Sequence, residues 1–177
     1  MPTRPRRQVL MLALVSALLI PVAGAPARLS AAPAPQAGAE APDFVLPTMD
    51  GGTLRLADLR GSFVYVDFWA SWCAPCRQSF PWMNRLARLS AGKGLRVVAI
   101  NVDERRADAE AFLKVTPAAF TVLLDPKGDV AGRYRLPGMP TSFLIGPEGR
   151  IRWTHAGFRS GDDARLQGMI LREMSAR

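Results

Sequence analysis

Two adjacent stretches constrain this chain most: the run Phe63-Val64-Tyr65-Val66-Asp67-Phe68 and, after a short connection, Trp72-Cys73-Ala74-Pro75-Cys76. The first is dense in β-branched and aromatic residues without clean alternation, the pattern of a strand covered on both faces and therefore central in its sheet. Beyond Cys73, the apolar residues Phe80, Met83, Leu86 and Leu89 recur at helical spacing. A helix is thus predicted to begin at the cysteines and to end at Gly92 or Gly94, with a kink at Pro81. Both cysteines fall where a strand-ending loop turns into a helix.

The rest of the chain alternates in the same way. Asp50-Gly51-Gly52 separates Phe44-Val45-Leu46 from Thr53-Leu54-Arg55-Leu56, which predicts a β-hairpin. Strands are expected over 95–102 and 120–124, with a helix over 106–114 between them and a short helix over 130–134 after them. The segments 141–145 and 151–155 flank Gly146-Pro147-Glu148-Gly149 and read as an antiparallel pair, followed by a last amphipathic helix with Leu166, Met169 and Ile170 inward. The expected class is α/β: a mixed central sheet flanked by helices, with an N-terminal hairpin and a central insert.

Cys73 and Cys76 are the only cysteines. Closing so short a loop stabilises little, since in the chain-entropy model the gain grows with loop length, so reactivity explains the pair better than stability does. At a helix start the sulfur of Cys73 faces unpaired backbone N–H groups and the positive end of the helix dipole, and both favour the thiolate, the nucleophile of disulfide exchange. Cys76, one turn on and on the same face, is within reach of disulfide geometry and is the expected resolving thiol. Pro75 suits the first helical turn, where no N–H is needed.

The chain opens differently. Arg4, Arg6 and Arg7 precede an apolar run from Val9 to Ala23, and an Ala/Pro-rich stretch follows. This order predicts a secretory signal over 1–25, a flexible tether over 26–40 and one domain over 41–177. An uncleaved membrane anchor is the alternative, although the run of about 15 residues falls short of the ~20 that span a bilayer. Arg6-Arg7 reads as an ordinary basic n-region, with twin-arginine export as the other reading. The four arginines before residue 33 supply half of the net charge of +8, and no acid accompanies them. The domain itself is mildly basic, with scattered rather than clustered cations, which gives no nucleic-acid footprint.

The segment from Val66 to Cys76, Val-Asp-Phe-Trp-Ala-Ser-Trp-Cys-Ala-Pro-Cys, resembles thioredoxins. The whole of 41 to about 172 resembles their exported TlpA/ResA-like relatives, with the hairpin before the central strand, the insert from Asp103 to Leu124, and Gly138-Met139-Pro140-Thr141. The resemblance implies a thioredoxin fold and a monomeric thiol-disulfide oxidoreductase, a reductant of protein disulfides in the periplasm. It further implies disulfide-bearing protein clients, a membrane-bound electron donor, and often a part in cytochrome c or copper-site assembly. No cofactor or metal is expected.

Asp67 falls where thioredoxins keep a buried acid beneath the cysteines. A carboxylate in a covered strand would be desolvated, its pKa raised, and so able to take the proton from Cys76; the other reading is an acid that reaches water at the sheet edge. Some relatives carry a glutamate just past the second cysteine, where Ser79 stands here. Pro140 alone would merely cap a strand; the resemblance makes it the cis-proline beside the disulfide, with Met139 pairing to substrate by strand addition. Trp72 would shape an apolar lip at Cys73 and Trp69 would pack behind it, or both are core residues.

Rival chemistries use the same cysteines. A Cu(I) chaperone could take Cys73 and Cys76 with His155 or Met139, although the lone His155 is expected to be an ordinary strand residue. Zinc is disfavoured, because Cys73, Cys76 and His155 are three Cys/His candidates where a structural site takes four. A peroxidase would want a Pro-x-x-x-Thr/Ser-x-x-Cys pattern, which the residues before Cys73 lack. A disulfide isomerase or oxidant differs chiefly in potential; neither Ala74 nor Pro75 supplies a cation that would make the pair a strong oxidant.

Overall fold

The run at the centre of the sequence becomes the centre of the molecule. In the computed structural model, which describes Met1 and residues 34–176, Phe63–Trp69 forms strand β3, with every residue buried. The expected signal segment and most of the expected tether lie outside the described residues. Ahead of β3, β1 (Val45–Pro47) and β2 (Thr53–Arg55) form the hairpin. After it come α1 (Ala74–Ser90), β4 (Leu95–Asn101), α2 (Arg106–Val115), β5 (Thr121–Leu124), α3 (Asp129–Tyr134), β6 (Thr141–Ile145), β7 (Ile151–Ala156) and α4 (Asp162–Ser175).

The main sheet has the order β5-β4-β3-β6-β7. β3 runs parallel to β4, and β4 to β5, while β6 is antiparallel to both β3 and β7. Covering β3 with a partner on each edge and a layer on each face explains why its sequence shows no polar alternation. Tyr65 and Trp69 lie in the apolar layer completed by α1, α2 and α4, with Phe80, Trp82, Phe112, Leu166 and Ile170. Val64, Val66 and Phe68 face the opposite layer, built from the hairpin and α3 with Phe44, Leu46, Val130 and Tyr134.

Local chemistry sets the element ends. Gly51 has φ of 95°, a conformation open to glycine at the hairpin turn, while the Thr48 hydroxyl donates to Asp50 and accepts from the Gly52 N–H at 2.7 Å. Asp125 accepts from the N–H groups of Val130 (3.1 Å) and Ala131 (2.9 Å) and so caps α3. Helix α1 continues through Pro81 to Ser90 and gives way to Gly92, at φ of 73°.

Two features differ from expectation, and one adds to it. Leu56, read as strand, starts a 3-10 turn over Leu56–Leu59. The hairpin is also tied to the main sheet, a contact the sequence did not address: the Met49 N–H donates to Val122 of β5 at 2.9 Å. Pairing also begins upstream of Ala41: the Gly38 N–H donates to the Ile151 carbonyl at 2.7 Å and the Ile151 N–H to Ala39 at 2.9 Å. Backbone pairing, which needs no large side chains, holds this apolar-poor stretch against the start of β7.

Candidate active site

Cys73 and Cys76 are joined in a disulfide, with their Cα atoms 5.3 Å apart. Cys73 is the N-cap of α1, in extended conformation at φ −83° and ψ 105°, and its Sγ accepts from the Cys76 N–H at 3.2 Å. The sulfur thus occupies the place where a serine or aspartate oxygen usually satisfies a free helix N–H. Pro75 lies in the first turn of the helix. Cys76 is fully buried, Cys73 nearly so, and Trp72 beside them is 67% exposed.

The loop that carries Trp72 and Cys73 is pinned from just past the end of β4. Asp103 accepts from the Ser71 N–H (3.0 Å) and from the Ser71 hydroxyl (3.0 Å), and is itself held by the Asn101 amide at 2.7 Å. The Arg77 guanidinium donates to the Ser71 carbonyl at 3.3 Å. The Met139–Pro140 peptide bond is cis, the Pro140 carbonyl accepts from the Gly157 N–H at 2.7 Å, and Met139 packs half-buried against the layer that contains both cysteines.

Asp67 shares its face of β3 with Tyr65 and Trp69, the face covered by α1, where Trp69 meets Phe80 at 4.7 Å between rings and Tyr65 meets Trp82 at 5.4 Å. It is 1% exposed, which excludes the alternative of an acid reaching water at the sheet edge. Burial raises its carboxyl from 3.8 to about 7, partly offset by the hydrogen bond from Ser142. The Ser142 hydroxyl donates to Asp67 Oδ2 at 2.7 Å, while Oδ1 has no hydrogen-bond partner.

Trp69 is completely buried, a core residue packed behind the site. Ser79, at the position of the glutamate in some relatives, is buried and donates to the Cys76 carbonyl at 2.9 Å. His155 lies 3.4 Å from Asp162 and 3.2 Å from the Arg165 guanidinium. Among the described residues no group of three His, Cys, Asp or Glu is placed to hold a metal ion, and no helix is long and apolar enough to cross a membrane.

Sequence reasoning passed over Asp103, Ser142 and Tyr65. Asn101-Val102-Asp103, two polar residues closing an apolar strand, was a visible signal for the first. A hydroxyl inside the apolar strand after Pro140-Thr141 was a weaker one for the second.

The AhpC/TSA family model matches residues 37–154. The thiol-disulfide oxidoreductase ResA of Bacillus subtilis is 38% identical over 114 residues, a stretch that spans 64% of this chain and 64% of that protein. ResA of Geobacillus thermodenitrificans is 34% identical over 126 residues, 71% of this chain and 72% of its own length. Among solved structures, a Chlorobium tepidum chain assigned as a thiol:disulfide interchange protein DsbE superposes with a TM-score of 0.76 at 49% identity, covering 79% of this chain and 99% of that one. With the Cys73–Cys76 disulfide at the start of α1, these likenesses establish that the chain belongs to the AhpC/TSA family, among its ResA-type thiol-disulfide oxidoreductases.

Proposed function

We propose that the protein is an exported reductant of protein disulfides, with Cys73 as nucleophile, Cys76 as resolving thiol and Asp67 as the base that serves Cys76. The observation that carries this reading is the seat of Cys73: N-cap of α1, its sulfur accepting the Cys76 N–H, beside the exposed Trp72. The Cys73 thiolate attacks a client disulfide and one client thiolate leaves. Asp67 takes the proton of Cys76, whose thiolate then displaces the client's remaining sulfur. The client departs with two thiols and the pair is oxidised. An electron donor, membrane-bound by the family resemblance, must return two electrons before the next turn.

Export is supported by the arginines and apolar run ahead of the domain, and the reaction is accordingly proposed to run outside the cytoplasm, in the periplasm or at its membrane. Trp72, Met139 and Pro140 form the client-binding lip, and apocytochrome c or a copper-site protein is the expected client class. A redox titration of the pair separates reductant from oxidant. We expect a midpoint near the roughly −270 mV of thioredoxin, whereas a value near the roughly −120 mV of periplasmic oxidants would reverse the direction.

A further inference from the structure

Asp67 is not alone under the helix. Its partner in the β3–β6 register is Ser142, and neighbours on one ladder row send their side chains to the same face of the sheet. Ser142 donates to Asp67 Oδ2 at 2.7 Å, and the Tyr65 hydroxyl, two residues before Asp67 on β3, donates to Ser142 Oγ at 2.7 Å. We propose that Tyr65 and Ser142 are positioning residues for the exchange reaction, a chain of two hydroxyls that holds the Asp67 carboxylate ready to take the proton of Cys76. This rests on the reading of Asp67 as the base.

Donor bookkeeping sets the polarity of the chain. A serine hydroxyl has one proton to give. With the tyrosine donating into Ser142 Oγ, that proton is directed at Asp67. Tyr65 keeps its own proton throughout the working range, because burial first, and the charges of Asp67 and Asp162 next, push the phenol well above its ordinary value. The ring is fixed between Trp82 and Trp153, at 5.4 and 6.1 Å. Asp67 Oδ1 has no partner, so the single bond from Ser142 opposes the cost of burying the charge.

Titratable and charged groups on the elements that cover this face include Cys73 and Cys76 on α1, His155 opposite Ser142 on β7, Asp162 with Arg165 at the start of α4, and the Arg85–Asp163 pair between α1 and α4. β4 offers only Ala99 opposite Asp67. Asp162 is paired with His155 and Arg165, and the Asp67 carboxyl itself answers to burial, which raises it, and to the Ser142 hydrogen bond, which lowers it. A merely structural role for Ser142 would change stability and leave the titration where it was.

The test is the pH dependence of mixed-disulfide resolution, read together with a ¹³C NMR titration of the Asp67 carboxyl in the folded oxidised protein, which needs no activity. Ser142→Ala is expected to move the midpoint upward by about one pH unit, the size of a hydrogen bond to a charged group. Tyr65→Phe, which keeps the ring packing, should move it in the same direction by less, and Ser142→Thr should restore the wild-type midpoint. Midpoints unmoved in both Ser142→Ala and Tyr65→Phe, with Asp67→Asn abolishing the inflection, would overturn the chain and leave Asp67 as base. An inflection that survives Asp67→Asn would overturn both.

Discussion

A Cys73→Ser variant is expected to lose reduction of a protein disulfide such as insulin by at least about three orders of magnitude, since a neutral hydroxyl replaces the attacking thiolate. Cys76→Ser should fail differently. Its Cys73 still attacks, but nothing resolves the product, so mixed disulfides with client proteins accumulate through Cys73 and can be identified by mass spectrometry. The asymmetry follows from the geometry: Cys73 opens α1 beside the exposed Trp72, while Cys76 is buried one turn inside. Near-normal insulin reduction by Cys73→Ser would refute the assignment, and so would trapping through Cys76 in the Cys73 variant.

The second large effect concerns Asp67. Burial holds its proton until about pH 7, against 3.8 for an exposed carboxyl, so the folded protein binds a proton that the unfolded chain has already lost. Stability from this group is therefore complete below about pH 4, falls as pH rises, and is gone above about 7. The rise of roughly three pH units corresponds to a loss on the order of 4 kcal/mol across that window. Asp67→Asn carries no titrating charge. Urea denaturation of the oxidised variant should show this slope removed, with the variant the more stable by up to a few kcal/mol at pH 8 and by little at pH 4. Resolution of mixed disulfides at neutral pH should slow at the same time, because the proton acceptor for Cys76 is gone. A group that costs stability while serving chemistry is the pattern of a functional site. Parallel stability curves for wild type and variant from pH 4 to 8 would show that the buried charge is not there.

Much of this was legible in the residues, for identifiable reasons. The run at β3 announced itself because a strand covered on both faces has no room for polar alternation, and the start of α1 because Cys73, Pro75 and the apolar positions from Phe80 onward agree on one helix. Gly146-Pro147-Glu148-Gly149 marked the β6–β7 turn by its own chemistry. What stayed hidden depends on register between distant segments. Ser142 meets Asp67 from 75 positions away, and alternation within β6 tells which face a residue takes but not which strand lies beside it. Asp103 reaches back to Ser71 in the same way. The pairing of Gly38 with β7 was hidden because backbone bonds leave no mark in an Ala/Gly/Pro-rich sequence.

The most direct measurement is alkylation of the fully reduced protein as a function of pH, with the modified cysteine identified at each point. Cys73 is expected to react as a thiolate well below the ~8.5 of a free cysteine, while Cys76 stays protected over the same range. Alkylation of Cys73 that follows the free-cysteine curve, or of Cys76 ahead of Cys73, would contradict the claim that the start of α1 makes the nucleophile.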